Sequence, residues 1–123
     1  MKGDDIADRL LDLGVACLRL AGELERTPTG KHVARQLSRS ATSGGANYGE
    51  ARSAESASDF IHKTAIAAKE VGETVYWLKL AQRAGLVDTT DSARWADEAG
   101  QLVRILAASI RTTKCRSATR SGP

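Results

Sequence analysis

The residues best placed for metal chemistry are Asp59 and His62, which lie three positions apart. On a helix this spacing puts both side chains on one face, as in one half of a dinuclear metal site inside a helical bundle. Such a site also needs a second Glu-x-x-His and two further carboxylates, and the only other histidine, His32, has no such surroundings. Asp59 and His62 are therefore better interpreted as a structural pair, or as two solvated polar groups, than as metal ligands. We therefore expect no metal and no other cofactor.

Acid–base catalysis would need carboxylates such as Glu50, Glu70 and Glu73. Arg35, Arg39 and Lys69 are expected close enough to neutralise these carboxylates. An ion-pair network that fixes the register of two helices is therefore the better interpretation of the glutamates.

Nucleophilic catalysis lacks a supporting group in this chain. Ser38, Ser40 and Ser43 have neither a base within reach nor a loop that would stabilise an oxyanion. Cys17 falls in an apolar helical stripe, where a small core residue is expected. We therefore expect no catalytic residues and no enzymatic activity.

The excess of positive charge lies at the end of the chain, although the net charge is only +3. No acidic residue follows Glu98, and the cations beyond it could contact phosphates: Arg104, Arg111, Lys114, Arg116 and Arg120. For a single chain the favoured interpretation is that cations are stabilised by the dipole at a helix C-terminus and continue into a solvated tail. Oligomerisation changes that balance, because several copies would bring these cations together.

Composition predicts one helical domain. The chain has 123 residues, 41% hydrophobic and only 4% aromatic, with two prolines. It has no apolar run long enough to span a membrane, and its first residues lack the apolar segment of a signal peptide. Because its two cysteines are far apart and form no CxxC pair, a reducing, cytoplasmic location is expected.

Apolar periodicity predicts four helices over residues 4–25, 28–53, 56–84 and 89–114. Thr27-Pro28 and Ser56 are cap signals for the second and third helices, and Gly85 suits the end of the third. Short connections make neighbouring helices antiparallel, so residues 1–114 are predicted to form an all-α, up-down-up-down four-helix bundle. Residues 115–123 are predicted to be a disordered basic tail.

The apolar stripes indicate which helix faces are buried. The first helix has a heptad seam with a flanking stripe of Leu11, Val15 and Leu18, wide enough to meet two neighbours. The second has an unusually small stripe, which predicts close helix approach. The fourth has a seam of mainly small residues, with Trp95, Leu102 and Leu106 beside it. The seam positions of these three helices are, in order, Ile6, Leu10, Leu13, Cys17, Leu20 and Leu24; Leu37, Ala41, Gly44, Tyr48 and Ala51; and Ala96, Gly100, Val103, Ala107 and Ile110.

The turn near residue 54 predicts contacts between the second and third helices. Facing residues should have numbers that sum to about 108. This rule pairs Arg39 with Glu70 and Arg35 with Glu73, and it places Asn47 or Glu50 against the Asp59–His62 turn. One of Tyr76 and Trp77 is also expected at a subunit interface.

Five short motifs in a fixed order resemble a known family. They are Gln36-Leu37-Ser38-Arg39-Ser40-Ala41, Asn47-Tyr48-Gly49-Glu50-Ala51, Asp59-Phe60-Ile61-His62-Lys63, Lys69-Glu70-Val71-Gly72-Glu73-Thr74 and Tyr76-Trp77-Leu78. Over residues 6–114 the chain resembles the bacterial intervening-sequence proteins of 23S ribosomal RNA. That family is similar to the accessory variability determinant protein of diversity-generating retroelements, a basic pentamer that binds nucleic acid and a reverse transcriptase. The resemblance implies a homopentameric helical bundle, with RNA or DNA and a reverse transcriptase among its expected partners.

These observations favour a non-enzymatic oligomeric scaffold that binds RNA or DNA through a basic surface. The alternative is a structural oligomer that binds another protein and has no nucleic-acid role. An enzyme built on Glu50, Asp59 and His62 is the third hypothesis. No membrane partner is expected.

Overall fold

The computed structural model describes the backbone of residues 2–121 and the side chains of residues 3–119. The helices are α1 (Lys2–Leu24), α2 (Pro28–Arg52), α3 (Ala57–Arg83) and α4 (Thr89–Ser121). Within this range there is no strand. Each helix packs against its neighbours in sequence, and α1 also packs against α4. The predicted all-α four-helix bundle is therefore confirmed, and its contacts are compatible with the antiparallel order.

The cap residues mark the starts of α2 and α3 and the end of α3 where the sequence indicated. The Thr27 hydroxyl accepts a hydrogen bond from the Gly30 amide at 3.0 Å, and the Ser56 hydroxyl accepts one from the Asp59 amide at 3.0 Å. After α3, Gly85 takes a left-handed φ of 71°. The Leu86 and Gly85 amides donate to the carbonyls of Ala81 and Gln82, which closes the helix by a Schellman motif.

The main difference in helix bounds lies at the end of α4. The helix was predicted to end at Lys114, but it continues to Ser121. No glycine or proline interrupts residues 111–121, so no residue of this segment breaks the helix. The hydroxyls of Thr113 and Thr119 donate back to the carbonyls of Ser109 and Cys115. Residues 122 and 123 of the predicted tail lie outside the described residues.

The predicted seams of α1 and α2 are confirmed as the core. All eleven positions named for these two helices are buried. Helix α2 runs unbroken through Gly44-Gly45. Gly44 lies directly against α3, since a Cβ atom there would be 2.7 Å from Val71 Cγ2. Beside it the buried hydroxyls of Ser40 and Thr74 form a hydrogen bond of 2.9 Å between the same two helices. Small residues thus let α2 and α3 approach closely, as predicted.

The seam predicted for α4 was wrong in its centre. Leu102 and Leu106 are fully buried, whereas the predicted positions Gly100, Val103 and Ala107 are only half-buried. The buried positions step through Ser92, Ala96, Ala99, Leu102 and Leu106. The helix is therefore rotated so that its large leucines, which gain most from leaving water, face the core.

Candidate functional site

The polar network between α2 and α3 is centred on Arg39. Its Nη1 atom lies 2.8 Å from Glu70 Oε2, which confirms the predicted pair. Its Nη2 atom binds Glu73, so the predicted partnership of Arg35 with Glu73 was wrong. Glu70 and Glu73 are three residues apart on one helix face, and a single forked guanidinium can therefore bridge both. Among the described residues Arg35 makes no ion pair.

The Arg39 network lies at the surface, with one side more enclosed than the other. The Arg39 side chain is 49% exposed and that of Glu70 only 14%. Hydrogen bonds to Glu73 and Glu70 raise the pKa of Arg39 above its ordinary value. The guanidinium therefore stays charged and can bridge the two carboxylates.

We expect Arg39→Ala to lower the free energy of unfolding by about 1 kcal/mol. Two partly screened ion pairs are lost, and the largely enclosed Glu70 carboxylate is left without its partner. Arg35→Ala removes the same charge one helical turn away without breaking an ion pair among the described residues, so its effect should stay below about 0.5 kcal/mol. Urea denaturation of both variants measures the difference. Equal effects would show that the Arg39 contacts do not stabilise the fold.

The other predicted contacts of α2 are only partly as expected. Glu50 pairs with Lys63 Nζ at 3.3 Å, one residue beyond the predicted Asp59–His62 turn. Asn47 does not reach that turn: its amide donates to the Ser43 carbonyl of its own helix at 2.9 Å. A short polar side chain on a helix finds the carbonyl four residues back more readily than a group on the next helix.

Two interhelical ion pairs were missed by sequence reasoning. Arg9 on α1 holds Glu98 on α4 through two parallel hydrogen bonds of 2.8 and 2.7 Å, and Arg52 on α2 pairs with Asp4 on α1. The hydrogen bonds of Glu98 raise the pKa of Arg9 above its ordinary value. Arg9 and Glu98 are 89 positions apart, and no local pattern connects them.

The residues considered for metal binding form no ligand cluster in the part of the chain that the structure describes. Asp59 and His62 are exposed, and no group of three His, Cys, Asp or Glu side chains comes together there as metal ligands would. Burial raises the pKa of the Cys17 thiol to about 12, which keeps it protonated and unreactive at neutral pH. Cys115 is exposed on α4.

The predicted phosphate-binding cations divide between two sides of α4. Arg104 and Arg111 are both exposed. Because they are seven residues apart, they lie on one face of α4, about 10 Å apart along the axis. Lys114 is also exposed beside them. Arg116 instead lines a pocket of about 340 Å³ with Ile6, Tyr48 and Phe60 at the end of the bundle. Arg120 lies on α4, and nothing is described of its side chain.

A second surface is an apolar groove between α1 and α2. The flanking stripe of α1 remains uncovered in the single chain: Leu11 is 66%, Val15 41% and Leu18 51% exposed. Together with small residues of α2 these side chains line a groove of about 460 Å³. The α2 residues of this groove are Ala41, Thr42, Gly45 and Ala46. Sequence reasoning found the stripe, but only the structure shows that no neighbour within the described residues covers it.

None of the helices, as far as they are described, combines the length and apolar character needed to traverse a lipid bilayer.

Comparison with known proteins places the chain in one family. The 23S rRNA-intervening sequence protein family matches residues 5–108. A crystal structure from Bacteroides thetaiotaomicron, described as a protein of unknown function from the S23 ribosomal protein family, is 32% identical with a TM-score of 0.80. That similarity covers 85% of this chain and 97% of the other. No curated protein matches the sequence. The family match spans most of the four-helix bundle, and the chain therefore belongs to the 23S rRNA-intervening sequence protein family.

Proposed function

We propose that this protein is a non-enzymatic homo-oligomeric scaffold that binds RNA or DNA through the exposed cations of α4. The observation that carries the proposal is the outward pair of Arg104 and Arg111. Among the described residues neither makes an ion pair, and no acidic residue follows Glu98 to neutralise them. Unpaired guanidinium groups on a rigid helix are suited to phosphate contacts, because no internal partner must be displaced.

The apolar groove supports the oligomeric part of the proposal. Leu11, Val15 and Leu18 follow a spacing of four and three on α1, which is the pattern of a helix that packs against another helix. The small side chains on the α2 wall would let a second copy of the chain approach closely. The likeness to the accessory variability determinant protein supports five copies and a reverse transcriptase as a protein partner.

Oligomerisation would also increase the electrostatic attraction for nucleic acid. One chain carries +3, so five copies would carry about +15 and present several α4 helices together. A modest charge per chain is thus compatible with salt-sensitive binding. A reducing, cytoplasmic location forms part of the same proposal.

The rival function is a structural oligomer whose only partner is another protein. The same apolar groove favours it, since an uncovered apolar surface serves any helical partner. Salt dependence separates the two functions, because phosphate contacts release counterions and apolar contacts do not.

The test is a fluorescence anisotropy titration of the full chain with single- and double-stranded RNA and DNA at about 50 and 200 mM salt. Wild-type affinity should fall steeply as salt rises. Arg104→Gln with Arg111→Gln should reduce the slope of log affinity against log salt by about 2 for each subunit that contacts the strand. The matched control is Arg19→Gln with Arg26→Gln, which removes the same charge from exposed positions near the other end of the bundle.

Two outcomes would contradict the proposal. Absence of binding at the lower salt concentration would remove the nucleic-acid role and leave the protein scaffold. Equal losses in both double variants would show that total charge matters and Arg104 and Arg111 do not. A truncation after Lys114 removes Arg116 and Arg120 as well, so unchanged binding there would assign the contacts to the remaining helix.

A further inference from the structure

A run of three rings crosses the surface between α2 and α3. The ring centroids of His32 and Trp77 are 5.8 Å apart, and those of Tyr76 and Trp77 are 4.9 Å apart, both with edge-to-face geometry. Trp77 packs against the core, whereas the Tyr76 side chain is 56% exposed. The partly buried Trp77 ring therefore supports the Tyr76 ring, which presents its surface to solvent.

Tyr76 forms one wall of an open, positively charged notch. The notch has a volume of about 420 Å³ and is lined by Tyr76, Lys79, Leu80, Arg83 and Ala84. Lys79, Leu80 and Arg83 lie three, four and seven positions after Tyr76 and so share its face of α3, and Ala84 is the residue that ends the helix. None of them is acidic, and within the described part of the chain neither Lys79 nor Arg83 makes an ion pair.

The position of these cations has a partial structural explanation. Arg83 lies in the last turn of α3, where the helix dipole favours positive charge. That effect explains neither an exposed aromatic ring against a partly buried tryptophan nor the open space beside that ring and the two cations. An aromatic face beside unpaired cations is the combination that binds a single nucleic-acid strand, because the ring stacks a base while the cations hold the adjacent phosphates.

We propose that this notch is a single-strand contact site in which a base stacks on Tyr76 and phosphates contact Lys79 and Arg83. The inference rests on the proposed nucleic-acid function and refines it, since it predicts a preference for unpaired strands. A base within a duplex is already stacked on both faces and has no free face for Tyr76. Duplex binding should therefore depend on α4 alone, and single-strand binding on both surfaces.

The test compares Tyr76→Ala with Tyr76→Phe, which keeps the ring. Tyr76→Ala should weaken single-stranded DNA and RNA binding about tenfold or more, the effect expected from losing one stacked base. Tyr76→Phe should bind like wild type, and neither variant should change duplex affinity. Because the chain has two tryptophans, a Trp95→Phe background leaves Trp77 as the only reporter. Its fluorescence should change on addition of single-stranded oligonucleotide and not of duplex.

The outcomes distinguish this site from the general function. If the wild type binds neither single strands nor duplexes, the proposed function fails. If it binds both but Tyr76→Ala leaves the single-strand affinity unchanged, only the notch is excluded. If Tyr76→Ala instead lowers the mass measured by light scattering, Tyr76 lies between subunits and the notch proposal is overturned.

Discussion

Replacement of Gly30 by alanine should destabilise the protein more than the same change at any other glycine that the structure describes, lowering the free energy of unfolding by about 3 kcal/mol. Gly30 lies in the first turn of α2, where α1 has just ended. A Cβ atom at this position would lie 1.9 Å from the Leu24 carbonyl oxygen and 2.9 Å from the Thr27 hydroxyl. The nearest obstacle is backbone, which cannot rotate away. The α1–α2 connection and its cap would therefore have to move together.

Gly49→Ala is the matched control on the same helix. Gly49 is exposed, and a Cβ atom there would meet nothing within 4 Å. Alanine should stabilise α2 at this position by about 0.5–1 kcal/mol, because glycine loses more backbone freedom when a helix forms. Chemical denaturation of both variants measures the contrast. A Gly30→Ala protein as stable as Gly49→Ala would show that the connection between α1 and α2 is loose enough to adjust.

Introducing charge into the α1 stripe should dissociate the oligomer. In Leu11→Glu with Leu18→Glu, both substitutions fall on side chains that are exposed in the single chain, so the fold of each subunit should be preserved. In an interface the same carboxylates would lose their hydration without a partner, which costs several kcal/mol per buried charge. Light scattering should therefore change from the mass of a multimer to about 13.1 kDa.

Ala65→Glu is the control for this experiment. Ala65 is exposed on α3, outside the groove, so it adds a negative charge without entering the proposed interface. It should keep the wild-type mass, and circular dichroism of all variants should remain equally helical. A wild type of 13.1 kDa at micromolar concentration would contradict the oligomer itself. A double variant that stays multimeric would place the interface elsewhere.

The amino-acid sequence by itself determined the helices and most of their buried faces. Thr27-Pro28, Ser56 and Gly85 act through hydrogen bonds within one turn, so their effect is visible without knowledge of the rest of the fold. The heptad of α1 was predicted equally well, because burial repeats with the helical period. The Arg39–Glu70 pair also followed from the sequence, since a short turn fixes which residues face each other.

The tertiary structure decided which partners each side chain finds. Glu73 turns to Arg39 instead of Arg35 because the rotation of each helix about its axis, and not the turn alone, sets the facing positions. The rotation of α4 about its own axis likewise brings Leu102 and Leu106 to the centre of the core. Gly30 has no unusual neighbours in sequence, and its requirement arises only where the end of α1 crosses it.

The candidate sites were also predicted in part from the sequence and determined in part by the tertiary structure. The sequence revealed the cations of α4 and the α1 stripe, because charge and apolar spacing are local properties. It did not show that Arg104 and Arg111 are exposed, that Arg116 is exposed but also lines a pocket, or that the stripe of Leu11 and Leu18 stays uncovered. Exposure depends on the positions of all four helices together, so only the folded chain determines which of these residues remain available to a partner.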